Sequence, residues 1–425
     1  MNNTGFKKDL QYYKFCLYGF LKNLRFFEFF LILFFVKEKE LQYDAVMTLY
    51  AIRFFTRTIF EIPSGVIADS LGRKKTLILS FAGYIFSFVV YFVSAKYLLF
   101  IAASFLYGFA DAFRTGTHKA MIFEYLKINR WSNHKVEYYG HTRSWSQIGS
   151  AVSSLAGAVI VVFTGNYKYV FLFSIIPYLA GMIILSTYPA DIDKEIETKE
   201  TSSVRSLIFS MQNTIHALKS FSKNLSLIRV SAFSGYYMAV KDLIQPMIVN
   251  LTFLLPVIYS LNNKQMSSLW IGLIYFIIYI VSAYASKKSN VFFSRFKQYY
   301  SALDILFIAG IIMGITAGML TINENFIAPV ILMMVIYAVE NVRKPIGVSC
   351  LSLIYENNIM ATMLSISSQI GSVLAALISL LVGFSIKYLG FGKGFAITSF
   401  VIAVLYIFLI LTGKLFNADE KNHKH

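Results

Sequence analysis

Residues 77–94 read LILSFAGYIFSFVVYFVS and contain no charged side chain. A helix needs about 20 mainly apolar residues to cross the hydrocarbon layer of a membrane. Comparable stretches occur at 97–110, 269–283 and 396–411. Over the 425 residues, 57% are hydrophobic and 14% are charged, whereas soluble domains average about 45–50% and about 25%. The sequence therefore predicts an all-α polytopic membrane protein.

We predict twelve membrane-spanning helices, near residues 13–36, 44–69, 76–95, 97–118, 143–163, 168–188, 226–250, 267–286, 299–320, 326–348, 360–383 and 392–412. Lysines and arginines accumulate in alternate loops, and this positive-inside bias predicts that both termini are cytoplasmic. The same bias explains the formal charge of +17, so nucleic acid is not an expected partner. We expect a multi-pass protein of the bacterial cytoplasmic (inner) membrane.

The region between the sixth and seventh predicted spans divides the chain. It opens with polar and acidic residues and continues with apolar residues at helical spacing, which indicates an amphipathic helix lying on the membrane or docked on the protein. SQIGS occurs at 146–150 and again at 368–372, and repeated halves are typical of transporters. The predicted domains are an N-terminal six-helix bundle at 1–190, a cytoplasmic linker at 191–225, and a C-terminal six-helix bundle with a short cytoplasmic tail at 226–425.

The loop after the second predicted span concentrates charge in the stretch 61–76, EIPSGVIADSLGRKKT. Gly72 can adopt a positive φ and end a helix in a tight turn. Arg73, Lys74 and the lysine after them are favoured at the level of the lipid headgroups. Asp69 lies at a helix C-terminus, where a negative charge opposes the helix dipole. We therefore expect Asp69 to have a compensating partner, such as a helix N-terminus or an arginine.

Gly65, Asp69, Gly72, Arg73 and Lys74 resemble the signature G-x-x-x-D-x-x-G-R-K/R between helices 2 and 3 of the major facilitator superfamily. The chain length, the span count, the central linker and the repeat are also similar to that family over nearly the whole chain. The resemblance implies a secondary transporter in which two six-helix bundles alternate around a central site. It also implies that these five residues form the gating motif.

The resemblance further implies a latch between Asp69 and the start of helix 11, near residues 360–362. The sequence departs from the family pattern there, because Met360 stands where an arginine precedes Ala-Thr-x-Leu-Ser. Span 5 lacks the G-P-x-x-G-G signature of drug:proton antiporters, and span 4 lacks the arginine-containing, glycine-rich pattern associated with proton relay. Both departures weaken the prediction of drug efflux.

Ionisable side chains near the middle of predicted spans are candidate functional residues, because each costs about 2.5–3.5 kcal/mol to insert. Removal from water favours the neutral form of a carboxyl group, so Glu28 and Asp242 are the predicted carriers of a coupling proton. Arg53, Arg57 and Lys241 are the predicted ligands of an anionic group. Tyr236, beside a kink expected at the proline of span 7, is a further candidate substrate-binding residue.

Two structural alternatives stay open. Opposite charges one helical turn apart could neutralise each other within the pairs Arg57–Glu61, Arg25–Glu28 and Glu340–Lys344. Side chains near span ends could extend to the cytoplasmic interface, and this group comprises Arg114, His118, Arg343 and Lys344.

The predicted function is secondary active transport of a small solute, coupled to protons or another ion, with export slightly favoured by the EIPSG variant of the motif. Uptake of an anionic metabolite and lipid flipping are alternatives within this class. A receptor or scaffold on the same fold is the alternative from another class. We expect no enzyme activity, cofactor or metal, because the sequence holds no G-x-S-x-G, H-E-x-x-H or phosphate-loop pattern and only two cysteines. The expected partners are the solute, the coupling ion and membrane lipid, and the chain is expected to be a monomer.

Overall fold

The computed structural model describes residues 6–193, 221–254, 261–296, 298–355 and 360–422. These residues form helices joined by short turns, and the described part of the chain contains no strand. The prediction of an all-α polytopic membrane protein is confirmed. The amphipathic segment predicted within the linker, at 204–218, lies outside the described residues.

The helices before the linker follow one another with short connections. They are α1 (Leu10–Leu21), α2 (Tyr43–Leu71), α3 (Arg73–Val93), α4 (Tyr97–Arg114), α5 (Thr117–Ile128), α6 (Lys135–Thr164) and α7 (Tyr169–Ser186). The helices after the linker are α8 (Phe221–Val240), α9 (Ile244–Leu251), α10 (Asn263–Lys287), α11 (Ser289–Phe293), α12 (Tyr299–Ile322), α13 (Ile327–Ile354), α14 (Met360–Leu389) and α15 (Phe391–Asn422).

Within the described residues, eight helical segments are long and apolar enough to cross a membrane. They are α3, α4 continued through α5, α6, α7, α10, α12, α14 and α15, and they coincide with predicted spans 3–6, 8, 9, 11 and 12. In these segments hydropathy alone identifies the span, because few charged residues interrupt the apolar run.

The four other predicted spans are interrupted or charged. Span 1 consists of α1, a 3-10 turn at Phe26–Phe29 and a π-helical turn at Phe34–Glu38. Span 7 is broken between α8 and α9 by a 3-10 turn at Lys241–Leu243. The break precedes Pro246, which lies in the first turn of α9, where its missing N–H removes no helical hydrogen bond. Spans 2 and 10 are the continuous helices α2 and α13, which carry buried or half-buried charges.

The helices form two compact units, each assembled from separate segments of the chain. Of the described residues, unit 1 holds 6–40, 52–193 and 261–280, and unit 2 holds 41–51, 221–254 and 281–422 apart from the gaps given above. Relative to the halves predicted from the sequence, the units exchange the N-terminal part of α2, up to residue 51, and most of α10, up to residue 280. A division of the chain at 191–225 stays a prediction.

Candidate functional site

Three arginines of unit 1 surround one aspartate. The Asp111 carboxylate on α4 lies 2.6 Å from Nη2 of Arg114 and 3.3 Å from Nη1 of Arg57. Nη2 of Arg25, which follows α1, lies 4.0 Å from the same carboxylate. We call these four residues the arginine cluster. Its side chains are between 13% and 20% exposed.

Two buried tyrosines hold the arginine cluster in place. The Tyr84 hydroxyl donates to Oδ1 of Asp111 at 2.5 Å and accepts from Nε of Arg114 at 3.0 Å. The Tyr178 hydroxyl accepts from Nε of Arg25 at 3.1 Å and donates to the Lys22 carbonyl at 3.1 Å. Arg114 and Arg25 are therefore each oriented by a neutral partner as well as by charge, which fixes the positions of these two guanidinium groups.

The close approach of α2 and α4 depends on Gly108. A Cβ atom at this position would lie only 2.5 Å from the carbonyl oxygen of Arg53, so only glycine allows this contact. The contact aligns one face of α2 with α4. The guanidinium of Arg53 then lies 3.7 Å from the ring centre of Tyr107, and Arg57, one turn further on, reaches Asp111.

Positive charge is in excess in this part of unit 1. Glu28 lies in the turn after Arg25 and acts on it electrostatically, and Lys22 interacts in the same way with Arg25 and Arg114. With Glu28 included, the three arginines of the cluster stand against two carboxylates. An excess of buried positive charge favours the binding of an anion.

Unit 2 repeats the acid and the arginine at the same spacing, with different surroundings. On α13, Glu340 accepts a hydrogen bond from the Ser234 hydroxyl at 2.7 Å. Arg343 is 2% exposed, and it donates to the carbonyl oxygens of Leu303 at 3.3 Å and Arg229 at 3.0 Å. Lys344 and Arg343 act on Glu340 electrostatically, but no described lysine or arginine comes within ion-pair distance of its carboxylate, and its Oε2 atom has no hydrogen-bond partner.

The break in span 7 places the predicted pair Lys241 and Asp242 together. Nζ of Lys241 lies 3.4 Å from Oδ1 of Asp242, and the Tyr50 hydroxyl donates to Oδ2 of Asp242 at 3.0 Å. The Tyr337 hydroxyl donates to the Lys241 carbonyl at 3.2 Å. Tyr236 lies elsewhere in the core of unit 2, fully buried, with its hydroxyl 2.8 Å from that of Ser399. Its role in substrate binding stays a prediction.

The gating motif is tied to the segment after α7. Asp193 accepts the backbone N–H of Lys74 at 2.5 Å and therefore caps the N-terminus of α3. Gly72 has a φ of +94°, and a Cβ there would lie 3.0 Å from the Asp193 carboxylate. Nζ of Lys74 donates to the carbonyl oxygens at Ser186 and Tyr188, at 2.5 Å and 3.1 Å.

The predicted latch stays a prediction. The side chain of Asp69 and residues 356–359 lie outside what the structure describes. Gly65 lies on α2 with no heavy atom near the position of a Cβ, so no described contact requires glycine there.

Two expectations about span ends are wrong. Arg343 does not extend to an interface, because backbone carbonyls and the rings of Phe233 and Phe307, at 5.0 Å and 5.8 Å, surround its guanidinium inside unit 2. Arg114 likewise bonds Asp111 within unit 1. In both cases a partner inside the unit replaces the lipid headgroups that snorkelling would require.

The sequence selected Arg57 as a candidate ligand but missed Asp111 as the centre of the cluster, because the partners of Asp111 come from distant positions in the chain. The available signal was the spacing: Asp111-x-x-Arg114 recurs as Glu340-x-x-Arg343 in the corresponding span of the other half. No group of three or more potential metal ligands occurs among the described residues.

Comparison with known proteins agrees with this architecture. A family model described as Major Facilitator Superfamily matches residues 19–354. No curated protein matches the chain by sequence. A crystal structure of a mutant of the nucleoside transporter NupG is similar over 95% of this chain and 99% of its own, with a TM-score of 0.73 and 11% identity.

Two further solved structures share the fold. A bacterial homologue of the human lysosomal transporter Spinster has a TM-score of 0.65 and 13% identity, covering 97% of this chain and 99% of its own. A D-xylose–proton symporter has a TM-score of 0.62 and 14% identity, covering 94% and 96%. At these identities the likeness concerns the fold.

Proposed function

Because the chain belongs to the major facilitator superfamily, a family of multi-pass membrane transporters, we propose that it moves a small solute by alternating access, driven by protons. The environment of Glu340 is the observation that supports coupling of solute transport to protons. Its carboxyl group is buried, its described hydrogen-bond donor is the Ser234 hydroxyl, and no described cation pairs with it.

The surroundings of Glu340 favour a bound proton. Taking a carboxylate out of water without a paired cation costs several kcal/mol, whereas a protonated carboxyl group carries no charge. Release of the proton then requires a change in what surrounds the side chain, which is what alternating access provides. Asp242 and Glu28 stay candidate proton carriers, but Asp242 already has Lys241 and Tyr50 as partners.

The coupling can be tested in proteoliposomes that contain a pH-sensitive dye. Uridine, xylose, dialanine and succinate are added in turn, and a solute that enters with protons changes the internal pH. We expect Glu340→Gln to abolish the solute-dependent pH change, because glutamine cannot carry the proton. The control is Glu324→Gln, which removes an exposed carboxylate of the same unit. A proton flux that survives in Glu340→Gln contradicts the role of Glu340.

We propose further that both termini are cytoplasmic in a bacterial inner membrane, that the chain is a monomer, and that the direction is export. The loop charges support the orientation, and the EIPSG variant of the motif supports export. Uptake of an anionic metabolite is the second candidate, and the excess of cations in the arginine cluster favours it. Flux measured in right-side-out and inside-out vesicles separates the two directions. A receptor or scaffold would bind a solute without any flux.

A further inference from the structure

We propose that the arginine cluster binds an anionic group of the solute, with Arg25 and Arg57 as its ligands. This inference rests on the proposed transport function and names the chemical class of its solute as a carboxylate or phosphate compound. Three features of the cluster support it: the unequal charges, the hydrogen-bond donors of Arg25 and the position of Asp111.

The charges are unequal before any solute binds. Three guanidinium groups share the single carboxylate of Asp111. Arg114 and the Tyr84 hydroxyl both take Oδ1 of Asp111, at 2.6 Å and 2.5 Å. Arg57 contacts the other oxygen, Oδ2, at 3.3 Å. Arg114 and Tyr84 therefore engage Oδ1, and the three arginines carry more charge than Asp111 and the nearby Glu28 together.

Arg25 is the side chain with donors to offer. Its Nε donates to the Tyr178 hydroxyl and to the Lys22 carbonyl, at 3.1 Å and 3.3 Å, so the guanidinium plane is fixed. Nη2 reaches Asp111 only at 4.0 Å, which is beyond hydrogen-bond distance. Among the described residues neither terminal nitrogen forms a hydrogen bond, and the guanidinium lies 5.9 Å from the ring centre of Tyr84. A carboxylate or phosphate placed there can accept both donors at once.

Asp111 acts as an internal competitor in this arrangement. Its carboxylate lies where a solute anion would bind, neutralises part of the positive charge, and contacts Arg57. A solute anion that binds Arg25 then competes with Asp111 for Arg57. Removing the negative charge of Asp111 must consequently strengthen anion binding, which a residue with a purely structural role would not do.

The test measures the melting temperature of the purified full-length protein in detergent against the concentration of sodium phosphate or sodium succinate. Ionic strength is held constant with sodium chloride. We expect both anions to raise the melting temperature to saturation. Arg25→Gln and Arg57→Gln should each weaken binding about tenfold or more, the effect of one charge-assisted hydrogen bond. Arg295→Gln, an exposed arginine of unit 2, should bind as the wild type does.

Asp111→Asn should change the anion affinity in the opposite direction. We expect its affinity for both anions to rise about tenfold, even if the variant melts at a lower temperature without anion. If Arg25→Gln fails to fold, Arg25→Lys keeps the charge but loses the paired donors, and intermediate binding is expected. Loss of anion binding in Asp111→Asn, or no saturable effect of either anion on the wild type, overturns the proposal.

The anionic group could belong to a soluble solute or to a lipid headgroup. The same titration with glycerol phosphate and with a short-chain phosphatidylglycerol separates the two sources. Saturable binding of glycerol phosphate assigns the site to a soluble anion, and binding of the phosphatidylglycerol alone assigns it to lipid. If no anion binds but uridine or xylose still drives proton flux, the solute class proposed here is wrong and the transport function stands.

Discussion

An acid followed three positions later by an arginine occurs on α4 of unit 1 and on α13 of unit 2, and the two copies are used differently. In unit 1, Asp111 and Arg114 bond each other at 2.6 Å and two more arginines converge on the carboxylate. In unit 2, Glu340 bonds a serine hydroxyl, and Arg343 turns to two backbone carbonyls. The same pattern yields a charged cluster in one unit and a carboxyl group without a described cation in the other.

This difference suggests a division of tasks between the units. A carboxylate held by several cations cannot easily take up a proton, but its surplus cations can bind an anion. A buried carboxyl group without a cation can carry a proton but attracts no anion. Under the two proposals above, unit 1 recognises the solute and unit 2 carries the coupling proton.

The largest effect is expected at the two arginines. Arg343→Ala removes the second donor to the carbonyls of Leu303 and Arg229 and opens a large cavity, which should cost about 3 kcal/mol or more. Arg114→Ala should cost less, about 1–2 kcal/mol, because Arg57 and Tyr84 still contact Asp111. Thermal unfolding in detergent measures both. Equal losses would show that the two copies of the pattern do not differ in their surroundings.

The next effect concerns the two acids and differs in sign. Asp111→Asn removes the one carboxylate that three arginines share, so we expect a loss of about 2 kcal/mol. Glu340→Gln replaces a carboxyl group by a neutral amide of the same shape, so we expect no loss, or a gain of up to about 1 kcal/mol. The melting temperatures of the two variants should therefore move apart. A marked destabilisation by Glu340→Gln would indicate a charged glutamate.

A smaller effect is expected at the N-terminus of α3. Asp193→Ala removes the carboxylate that accepts the Lys74 N–H, and the loss of a helix cap costs about 1 kcal/mol. Gly72→Ala should cost at least as much, because it places a side chain at a φ of +94° and against that same carboxylate. The two costs should add only in part in the double variant, because the contact with the carboxylate disappears with Asp193 whereas the backbone strain at position 72 does not.

The smallest effects are expected at two ion pairs near helix ends, one in each unit. Asp44→Asn breaks the bond to Lys387 in unit 2, and we expect almost no change in stability because solvent screens this exposed pair. Glu38→Gln in unit 1 should cost more, because Glu38 bonds Lys264 and also accepts the N–H groups of Tyr167 and Lys168. Thermal unfolding at low and high salt separates the two, since salt weakens only the exposed pair strongly.

Sequence reasoning located the apolar helices because a run of uncharged residues determines a span locally. It also selected Arg57, since twelve residues of helix from Asp69 place it near the middle of the membrane. It did not identify Asp111 as the centre of the arginine cluster. Arg25, Arg57 and Tyr84 reach Asp111 from three other parts of the chain. These contacts depend on a glycine that brings α2 against α4, which no periodicity predicts.

The second unit shows a different limit. The spacing of Glu340 and Lys344 permits an intrahelical pair, and no feature of the sequence argues against it. In the structure Glu340 turns to Ser234 on α8, and Lys344 is exposed. Spacing states which partners are within reach, and tertiary packing decides which of them is used.

The exchange of segments between the units affects the stability of fragments produced from a gene divided at the linker. A fragment that ends at residue 193 carries 41–51, whose packing partners, such as Gly383 against Met47, lie in the later part of the chain. The same fragment lacks 261–280, where Gly272 packs against Ala158. Two separately translated fragments should therefore be recovered only when they are produced together, and each should be degraded when produced alone. We therefore expect that neither the sequence before the linker nor the sequence after it folds stably without the other.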